Sequence, residues 1–345
     1  MIVGGDRGLG WNDQLARSWE AIGSPGRPGR VIRIDRGWSS VAHTTADAHP
    51  GAEPLRVRNL HVDVAVGDWV VPSPDGERVD HIIDRVSAFV RRASFEGERF
   101  DADTLAANID VVFLVHAFGS PPNQRRLERE LVHAFDSGAE PVVVLTKIDA
   151  AGDPEPARAE LAEVALGVPV LLASGLERIG IDEIRRYASG NRTLAFLGAS
   201  GVGKSTLINA LLDDDVMDTG EVREFDQRGR HTTVAAQLLP LHDEGWLVDT
   251  PGVRAVSLWL SGHGIERAFA DVFDLMDHCR FRDCKHDQEH GCAVQAAVAA
   301  GELPVERVRS LERLVAEEAA LEREQREWLR RGDRRRPPRR SGRSG

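Results

Sequence analysis

Cysteine is scarce in this sequence: the 345 residues include only Cys279, Cys284 and Cys292, all within fourteen positions. An odd and clustered set does not build the disulfide framework of a small secreted domain. Long apolar runs are also missing, because no stretch approaches the roughly 20 residues that span a bilayer. The first residues, MIVGGDRGLGWND, lack the basic region and apolar stretch of a secretory signal. We therefore expect a cytoplasmic protein with no membrane partner.

Positive charge is in deficit over the chain as a whole. There are 44 Lys and Arg against 55 Asp and Glu, which gives a net charge of -11. This balance argues against nucleic-acid binding by the whole surface. The exception is residues 330–345, which hold eight arginines and one aspartate. We predict a disordered basic tail there, which either contacts RNA phosphates or only keeps the chain in solution.

The first quarter of the chain has the pattern of short strands. Residues 1–29 are predicted to be an irregular N-terminal extension, because Gly and Pro gather toward its end. Within residues 30–87, hydrophobic alternation predicts three strands, at Val31–Ile34, Leu60–Val66 and Trp69–Val71. A turn at Gly67-Asp68 precedes the third strand, and a further hairpin signal at Asp75-Gly76 follows it. This favours a five-stranded OB-type β-barrel, with a β-domain of no binding role as the alternative. Residues 88–104 are expected to be a linker.

Residues 105–260 have the pattern of an α/β domain. Four continuous apolar runs are typical of strands buried on both faces, at residues 109–115, 141–145, 168–173 and 193–197. Helical stretches separate them, at residues 123–136, 155–166 and 179–188. Strands that alternate with helices predict a parallel sheet with helices on both sides. Residues 261–329 hold the cysteines and are predicted to form a mainly helical domain.

A glycine-rich loop after the last apolar run is the strongest motif. It fits G-x-x-x-x-G-K-[ST], with a strand before it and a helical stretch after it. Glycines let backbone N–H groups curl around phosphates without Cβ clashes. Lys204 is predicted to reach the β- and γ-phosphates, and Ser205 to ligate Mg²⁺. The predicted phosphate-binding residues are Gly198, Ala199, Ser200, Gly201, Val202, Gly203, Lys204, Ser205 and Thr206.

A second motif, Asp-Thr-Pro-Gly, begins at Asp249 after a short apolar strand and 44 residues beyond Ser205. Its carboxylate suits a contact to Mg²⁺, and the N–H of Gly252 is predicted to sense the γ-phosphate. The intervening loop holds Thr232 and Thr233, one of which would complete the Mg²⁺ shell. The alternative is that these threonines are ordinary polar loop residues.

Guanine recognition is predicted from Thr146-Lys147-Ile148-Asp149, which ends an apolar strand. The Asp149 carboxylate can accept hydrogen bonds from the guanine N1–H and 2-amino group, which adenine lacks. An unpaired carboxylate would penalise adenine by on the order of 10⁴-fold. Lys147 can lie against the base and the phosphate loop. Ser174 and Gly175, after the next strand, fit a loop whose backbone N–H groups contact the guanine O6.

The order of these motifs is reversed relative to common GTPases, which have the phosphate loop first and the guanine motif later. Each motif nevertheless lies at a strand end, where an open α/β sheet binds its ligand. The sequence therefore predicts a circularly permuted GTPase domain. One alternative is a phosphotransferase or ATPase that uses the same loop. Another is an RNA-binding module with a zinc site, an OB barrel and a degenerate nucleotide site.

The cysteine cluster, Cys279-x4-Cys284-x-His286-x5-Cys292, predicts a metal site. Three thiolates and an imidazole form a closed tetrahedral set typical of structural Zn²⁺, whereas a catalytic zinc needs an open position. His278 and His290 are alternatives to His286. The other interpretation is three free thiols in a core.

The motifs together resemble one family, the circularly permuted ribosome-small-subunit-dependent GTPase A, also called RsgA or YjeQ. The resemblance covers about residues 30–300. Its residues are Val66-Gly67-Asp68-Trp69-Val70, Arg85 to Arg91, Asn108 to Asp110, Thr146 to Asp149, the phosphate loop, Gly229 to Thr233, Asp249 to Gly252 and the cysteine set. It implies an OB-fold, a permuted GTPase domain, a zinc-binding domain, and a hydrolase acting on GTP with Mg²⁺.

The family resemblance also implies partners and site roles. GTP and GDP are the implied ligands, and the small ribosomal subunit is implied to stimulate hydrolysis during its late maturation. His231 resembles the proposed catalytic histidine of the family, acting beside Lys204 and Thr233. We expect a monomer.

Several expectations concern individual side chains. Arg30, Arg33 and Arg36 are expected on a barrel face that contacts rRNA, together with the basic tail. Thr146 stands where asparagine is common, so we expect a lost brace on the phosphate loop and modest nucleotide affinity. Val253 follows the Asp-Thr-Pro-Gly motif where many GTPases carry a water-orienting glutamine, so slow unaided turnover is expected.

Overall fold

The computed structural model describes residues 6–35, 37–43, 53–60, 62–92, 102–119, 123–150, 152–213, 236–242, 244–249, 262–287 and 289–335. The chain divides into two compact units. The first unit comprises residues 1–92 and 102–259, and the second comprises residues 93–101 and 260–345. Among the described helices, none combines the length and the apolar character that a bilayer crossing demands.

The first unit contains most of the regular structure. A short 3-10 helix (Asp6–Leu9) opens the described part. The strands are β1 (Gly29–Asp35), β2 (Trp38–Ala42), β3 (Leu55–Arg58), β4 (Trp69–Pro72), β5 (Val79–Ile82), β6 (Ala88–Arg92), β7 (Ala102–Ala107), β8 (Val111–Ala117), β9 (Glu140–Thr146), β10 (Val170–Leu172), β11 (Thr193–Gly198), β12 (Ala236–Pro240) and β13 (Trp246–Asp249). The helices are α1 (Asp13–Ala21), α2 (Gln124–Ser137), α3 (Glu155–Val164), α4 (Ile181–Arg186) and α5 (Lys204–Leu212).

One large sheet organises this unit, with strand order β10-β9-β8-β11-β13-β12-β1-β2-β3. Strands β8 to β11 are the four predicted apolar runs, and they pair in parallel as expected. Strand β13 joins them in parallel, and β12 pairs antiparallel with β13. The glycine-rich loop leaves the carboxyl end of β11, which lies between β8 and β13. Phe113, Val142 and Phe196 belong to the buried core of this region.

The first five strands surround a second core. Strand β1 pairs with β2 and β4, β2 pairs with β3, and β4 pairs with β5. A bridge between Arg58 and Arg78 connects β3 to β5, which closes the ring of strands. Val31, Val57 and Val79 are buried inside it. Because β1 also pairs with β12, these strands are continuous with the large sheet.

The predicted strand Leu60–Val66 is wrong. Strand β3 ends before it, and Leu60 is 49% exposed. The chain turns here because the Asp68 carboxylate accepts the backbone N–H of Ala65 at 2.7 Å and the Arg85 guanidinium at 2.7 Å. Of the alternating residues only Val64 and Val66 are buried, and the segment's pairing is limited, among its described residues, to a single bridge from Val66 to Ala106.

Part of the N-terminal extension, predicted as irregular, is helical. Helix α1 begins after Asn12, whose side chain accepts hydrogen bonds from the backbone N–H groups of Gln14 and Leu15 at 3.0 Å. Such a cap satisfies N–H groups that the first helical turn leaves unpaired. Leu15 is buried in a cluster with Trp69 of β4. The helix is therefore fixed by its cap and by the apolar contacts of Leu15 and Trp19, which the Gly and Pro content obscured.

The expectation that Arg30 lies on an RNA-binding face is wrong, because its side chain is 1% exposed. Its guanidinium donates to the backbone carbonyl of Leu9 and to the Thr193 hydroxyl at the start of β11. Burial lowers the pKa of Arg30 to about 10. Arg33 is exposed, and Arg36 lies outside the described residues. Arg30 therefore joins the N-terminal extension, β1 and β11.

The segment predicted as a linker, residues 88–104, contains strand at both ends. Strand β6 pairs antiparallel with β7, and Phe89 lies opposite Ala106 with both side chains buried. The charged residues 93–101 separate the two strands in the sequence and fall outside the described part. Because of this separation, the pairing of β6 with β7 could not be predicted from the local sequence pattern. The domain boundaries assigned from the sequence stay a prediction.

The described part of the second unit is helical, as the sequence predicted. It contains α6 (Gly262–Ala268), α7 (Ala270–Met276), α8 (Ala293–Ala300) and α9 (Val305–Arg335). Arg307 packs on the ring of Phe269 at 4.3 Å and bonds to the Asp271 carboxylate at 3.0 Å, which ties α9 to α7. Helix α9 extends into the predicted tail, residues 330–345, of which residues 336–345 lie outside the described part.

Candidate nucleotide-binding site and metal centre

The glycine-rich loop connects the end of β11 to the first turn of α5. Gly203 precedes α5 with a left-handed φ of 99°, which glycine adopts without a steric penalty. The Lys204 ammonium turns back over the loop and donates to the backbone carbonyls of Gly198, at 2.9 Å, and Ala199. A cation and the N-terminus of a helix therefore meet at one place, which favours a bound anion.

The predicted guanine motif lies directly against this loop. The Thr146 hydroxyl lies within hydrogen-bonding distance of two backbone carbonyls, that of Val202 in the loop and that of His116 in β8, the latter at 3.1 Å. The side chain of Lys147 lies alongside Gly203. The expectation that Thr146 cannot brace the phosphate loop is therefore wrong, because its hydroxyl replaces the amide donor. The modest affinity inferred from that loss stays untested.

Ser174 and Gly175 reach the same place from the end of β10. The Ser174 hydroxyl donates to the Asp149 carboxylate at 2.5 Å. The sequence assigned only backbone N–H groups to this position, so the role of the hydroxyl was missed; its one signal was a polar residue after a buried strand. Gly175 packs so closely on α5 that any Cβ there would lie 2.8 Å from the Thr206 carbonyl carbon.

Three motifs that are far apart in the sequence thus meet at the carboxyl ends of β9, β10 and β11. Such an arrangement can hold a base at the Asp149 end and phosphates at the Lys204 end. The described backbone also places Asp249 at the same edge, as the last residue of β13 beside β11. His231, Thr232, Thr233 and Gly252 lie outside the described residues.

The donor set fits the Mg²⁺ ion that accompanies a nucleotide. Ser205 is the second residue of α5, so it lies in the first turn beside the phosphate loop. The Ser205 hydroxyl, with the aspartate carboxylate that the sequence supplies at position 249, would offer only hard oxygen ligands, which Mg²⁺ prefers.

The four predicted zinc ligands come together in the second unit. One ligand atom from each of Cys279, Cys284, His286 and Cys292 lies within 4.8 Å of the other three. His278 and His290 are not part of this group. Cys292 is also the N-cap of α8, where its sulfur accepts the N–H of Gln295 at 3.4 Å. The cluster is therefore held by the start of a helix.

The distances in this cluster match a tetrahedral metal centre. With Zn–S near ~2.3 Å and Zn–N near ~2.05 Å, tetrahedral angles give S···N separations of ~3.5 Å and S···S separations of ~3.8 Å. The observed values are 3.5 Å and 3.6 Å from His286 Nδ1 to the sulfurs of Cys279 and Cys292, and 4.0 Å between those sulfurs. The residues therefore fit Zn²⁺.

Electrostatics in the cluster also favours a dication. The pKa of Cys284 is raised to about 11, first by burial and then by the neighbouring sulfurs of Cys292 and Cys279. For Cys279, burial opposes ionisation, but hydrogen bonds from the backbone N–H groups of Ala293 and Val294 lower the pKa below its usual value. Three thiolates in contact repel one another, and a bound cation removes that repulsion.

Comparison with known proteins identifies the family. Residues 82–259 match the RsgA GTPase family. The chain is 41% identical over 322 residues to the Small ribosomal subunit biogenesis GTPase RsgA of Streptomyces coelicolor, covering 89% of this chain and 85% of the relative. It is 37% identical over 312 residues to the protein of the same name from Methanosarcina acetivorans, covering 89% and 84%.

Solved structures support the fold. YjeQ from Thermotoga maritima superimposes with a TM-score of 0.61 at 24% identity, covering 85% of this chain and 98% of that one. YloQ, a circularly permuted GTPase, superimposes with a TM-score of 0.60 at 22% identity, covering 85% and 95%. The fold is thus that of a circularly permuted GTPase with a mixed sheet, as the motif order predicted. From the family match and the two relatives, the chain belongs to the RsgA GTPase family.

Proposed function

We propose that this protein hydrolyses GTP to GDP and phosphate and assists the late maturation of the small ribosomal subunit, which stimulates the hydrolysis. The observation that carries the GTPase assignment is the convergence of the Asp149 and Lys204 motifs despite their reversed order in the chain. The ribosomal assignment is supported by the names of two relatives that match most of this chain.

The chain's own residues divide into three tasks in the proposed reaction. Asp149, held by the Ser174 hydroxyl, accepts the guanine N–H donors, and Lys147 lies against the base. Backbone N–H groups of the glycine-rich loop and the Lys204 ammonium hold the β- and γ-phosphates and offset the charge that grows on them during transfer.

The remaining tasks concern the metal and the attacking water. Ser205 and Asp249 hold Mg²⁺, with Thr232 or Thr233, and the ion when bound neutralises phosphate charge. The Gly252 N–H senses the γ-phosphate, and His231 orients the water. The role of His231 comes from the family resemblance alone.

We also propose one structural Zn²⁺ at Cys279, Cys284, His286 and Cys292, and an OB-type barrel formed by β1 to β5. The barrel assignment is supported by the strand order β1-β2-β3-β5-β4, which the Arg58–Arg78 bridge closes. Exposed basic groups on the barrel and the tail, residues 330–345, are proposed to contact rRNA. The protein acts in the cytoplasm as a monomer, without a membrane partner.

A GTPase assay with and without purified small subunits tests the proposal. We expect slow release of phosphate by the chain alone and a marked rise when subunits are added. Lys204→Ala should remove both rates, because the Lys204 ammonium is the cation that turns back over the loop carbonyls of Gly198 and Ala199. Arg125→Ala, at an exposed position on α2, is the matched control and should keep both.

Two results would contradict the proposal. Displacement of GTP by ATP at similar concentrations would indicate an ATPase or phosphotransferase. Normal subunit-stimulated activity in Lys204→Ala would indicate a binding module whose nucleotide site is degenerate.

A further inference from the structure

The outer face of the barrel carries an aromatic side chain surrounded by arginines. On β2, Trp38 lies opposite Arg58 of β3, and the guanidinium carbons of Arg58 and Arg56 both lie 4.9 Å from the centre of the Trp38 ring. Ser40 of β2 lies between Arg56 of β3 and Arg33 of β1. Since paired residues share a face of the sheet, we call Arg33, Trp38, Arg56 and Arg58 the Trp38 surface.

The arginines of the Trp38 surface are exposed and make no ion pair with any residue that the structure describes. One carboxylate, Asp35, lies opposite Trp38 on this face, so positive charge is in excess. Like charges on adjacent strands repel one another. In a chain of net charge -11, such a cluster is an exception to the general balance. It is complementary to an anionic partner.

The shape of the Trp38 surface indicates which anion. Adjacent strands lie ~4.8 Å apart, so the arginines from β1 to β3 span roughly 10 Å. This spacing suits the successive phosphates of a short nucleic-acid segment and exceeds the size of one small anion. The half-buried indole and the guanidinium planes offer flat faces, on which unpaired bases stack. Bases inside an RNA helix are already stacked on one another, so their flat faces are not accessible to the protein.

We propose that the Trp38 surface binds an unpaired stretch of RNA, with a base stacked on the Trp38–arginine group and phosphates held by Arg33, Arg56 and Arg58. An acidic peptide would use the charges but would gain nothing from the ring. An RNA helix would use the phosphate contacts alone. This inference deepens the proposed function by naming the kind of RNA that the barrel takes from the ribosomal subunit.

Binding of labelled oligonucleotides to the full-length protein, followed by fluorescence anisotropy, tests the proposal. The probes are an unstructured ten-nucleotide RNA, an RNA hairpin of equal charge and a poly-glutamate peptide. Trp38→Leu should weaken binding of the unstructured RNA about tenfold, because a stacked base is lost. Trp38→Phe should restore most of the affinity, since phenylalanine keeps a flat ring.

The dependence on salt separates charge from stacking. Each phosphate contact to a single strand contributes about 0.7 to the slope of log affinity against log salt. Arg56→Gln with Arg58→Gln should therefore lower the slope by about 1.4. Trp38→Leu should leave it unchanged. Arg125→Gln with Arg186→Gln, at exposed positions on α2 and α4, removes the same charge elsewhere and should leave both affinity and slope unchanged.

Three outcomes would overturn the inference. These are wild-type affinity in Trp38→Leu, an equal loss for the hairpin, and competition by poly-glutamate as strong as that by the unstructured RNA. None of these measurements needs GTP hydrolysis. A chain without GTPase activity whose Trp38→Leu variant loses only unstructured RNA would refute the proposed function and retain this inference.

Discussion

The hydrogen bond from Ser174 to Asp149 gives a sharp test of guanine recognition. Ser174→Ala removes a hydroxyl that lies 2.5 Å from the carboxylate and adds no bulk. Hydrogen bonds to charged groups contribute about 1.5–3 kcal/mol. Since Asp149 is exposed and partly solvated, the lower figure applies. At about 1.4 kcal/mol per tenfold change, GTP affinity should fall about tenfold.

The assay is equilibrium binding of GTP, GDP and ATP, measured by calorimetry on the full chain. Because the hydroxyl acts on the group that reads the base, GTP and GDP should weaken equally. The binding of ATP, which we expect to be weak, should not change. Ser189→Ala, at an exposed position after α4, is the matched control and should bind like the wild type.

A double-mutant cycle tests whether Ser174 affects GTP binding through the Asp149 carboxylate. If Ser174 acts by positioning the carboxylate, Ser174→Ala should add almost nothing to Asp149→Ala. Full additivity of the two losses would refute this reasoning. Equal weakening of GTP and ATP by Ser174→Ala would refute it as well, since the hydroxyl would then support the loop in general.

Three further predictions concern stability and metal. Arg30→Ala should lower the free energy of unfolding by about 3–5 kcal/mol in denaturant titrations, because buried hydrogen-bonding groups lose their partner; a loss below 1 kcal/mol would contradict this. Gly67→Ala should lower the melting temperature far more than Gly190→Ala. Both glycines have a positive φ, but of the two only at Gly67 would a Cβ lie 2.1 Å from a backbone oxygen. Equal decreases in melting temperature would contradict this reasoning. We expect metal analysis to find one zinc per chain; Cys284→Ser should remove it, whereas His290→Ala should retain it.

Local chemistry explains what was predictable from the sequence. A strand buried on both faces must be apolar throughout, so β8 to β11 were visible as continuous runs. A phosphate loop needs glycines and a lysine at fixed spacing, which is a local pattern. The reversed motif order and the family resemblance then indicated a permuted GTPase. The cysteine spacing likewise predicted a four-ligand set, because the ligands lie within one short segment.

Individual side-chain contacts between distant segments could not be predicted from the sequence. Arg30 has the sequence context of a surface strand, yet it is buried because β1 pairs with β12 and faces Thr193. The Ser174 hydroxyl bonds to Asp149 only because β9 and β10 are neighbours in register. Thr146 braces the loop for the same reason, through β9 and β11 on either side of β8.

The sequence by itself determined the chemical groups of this protein: a lysine and glycines for phosphates, a carboxylate for guanine, and three thiols with an imidazole for a metal. The tertiary structure alone decided the individual side-chain contacts around the nucleotide site, that His286 and not His278 or His290 joins the thiols, and that arginines surround Trp38. The physical reason is that composition and spacing act along the chain. Burial and pairing instead depend on strand register, which residues far apart in the sequence set together.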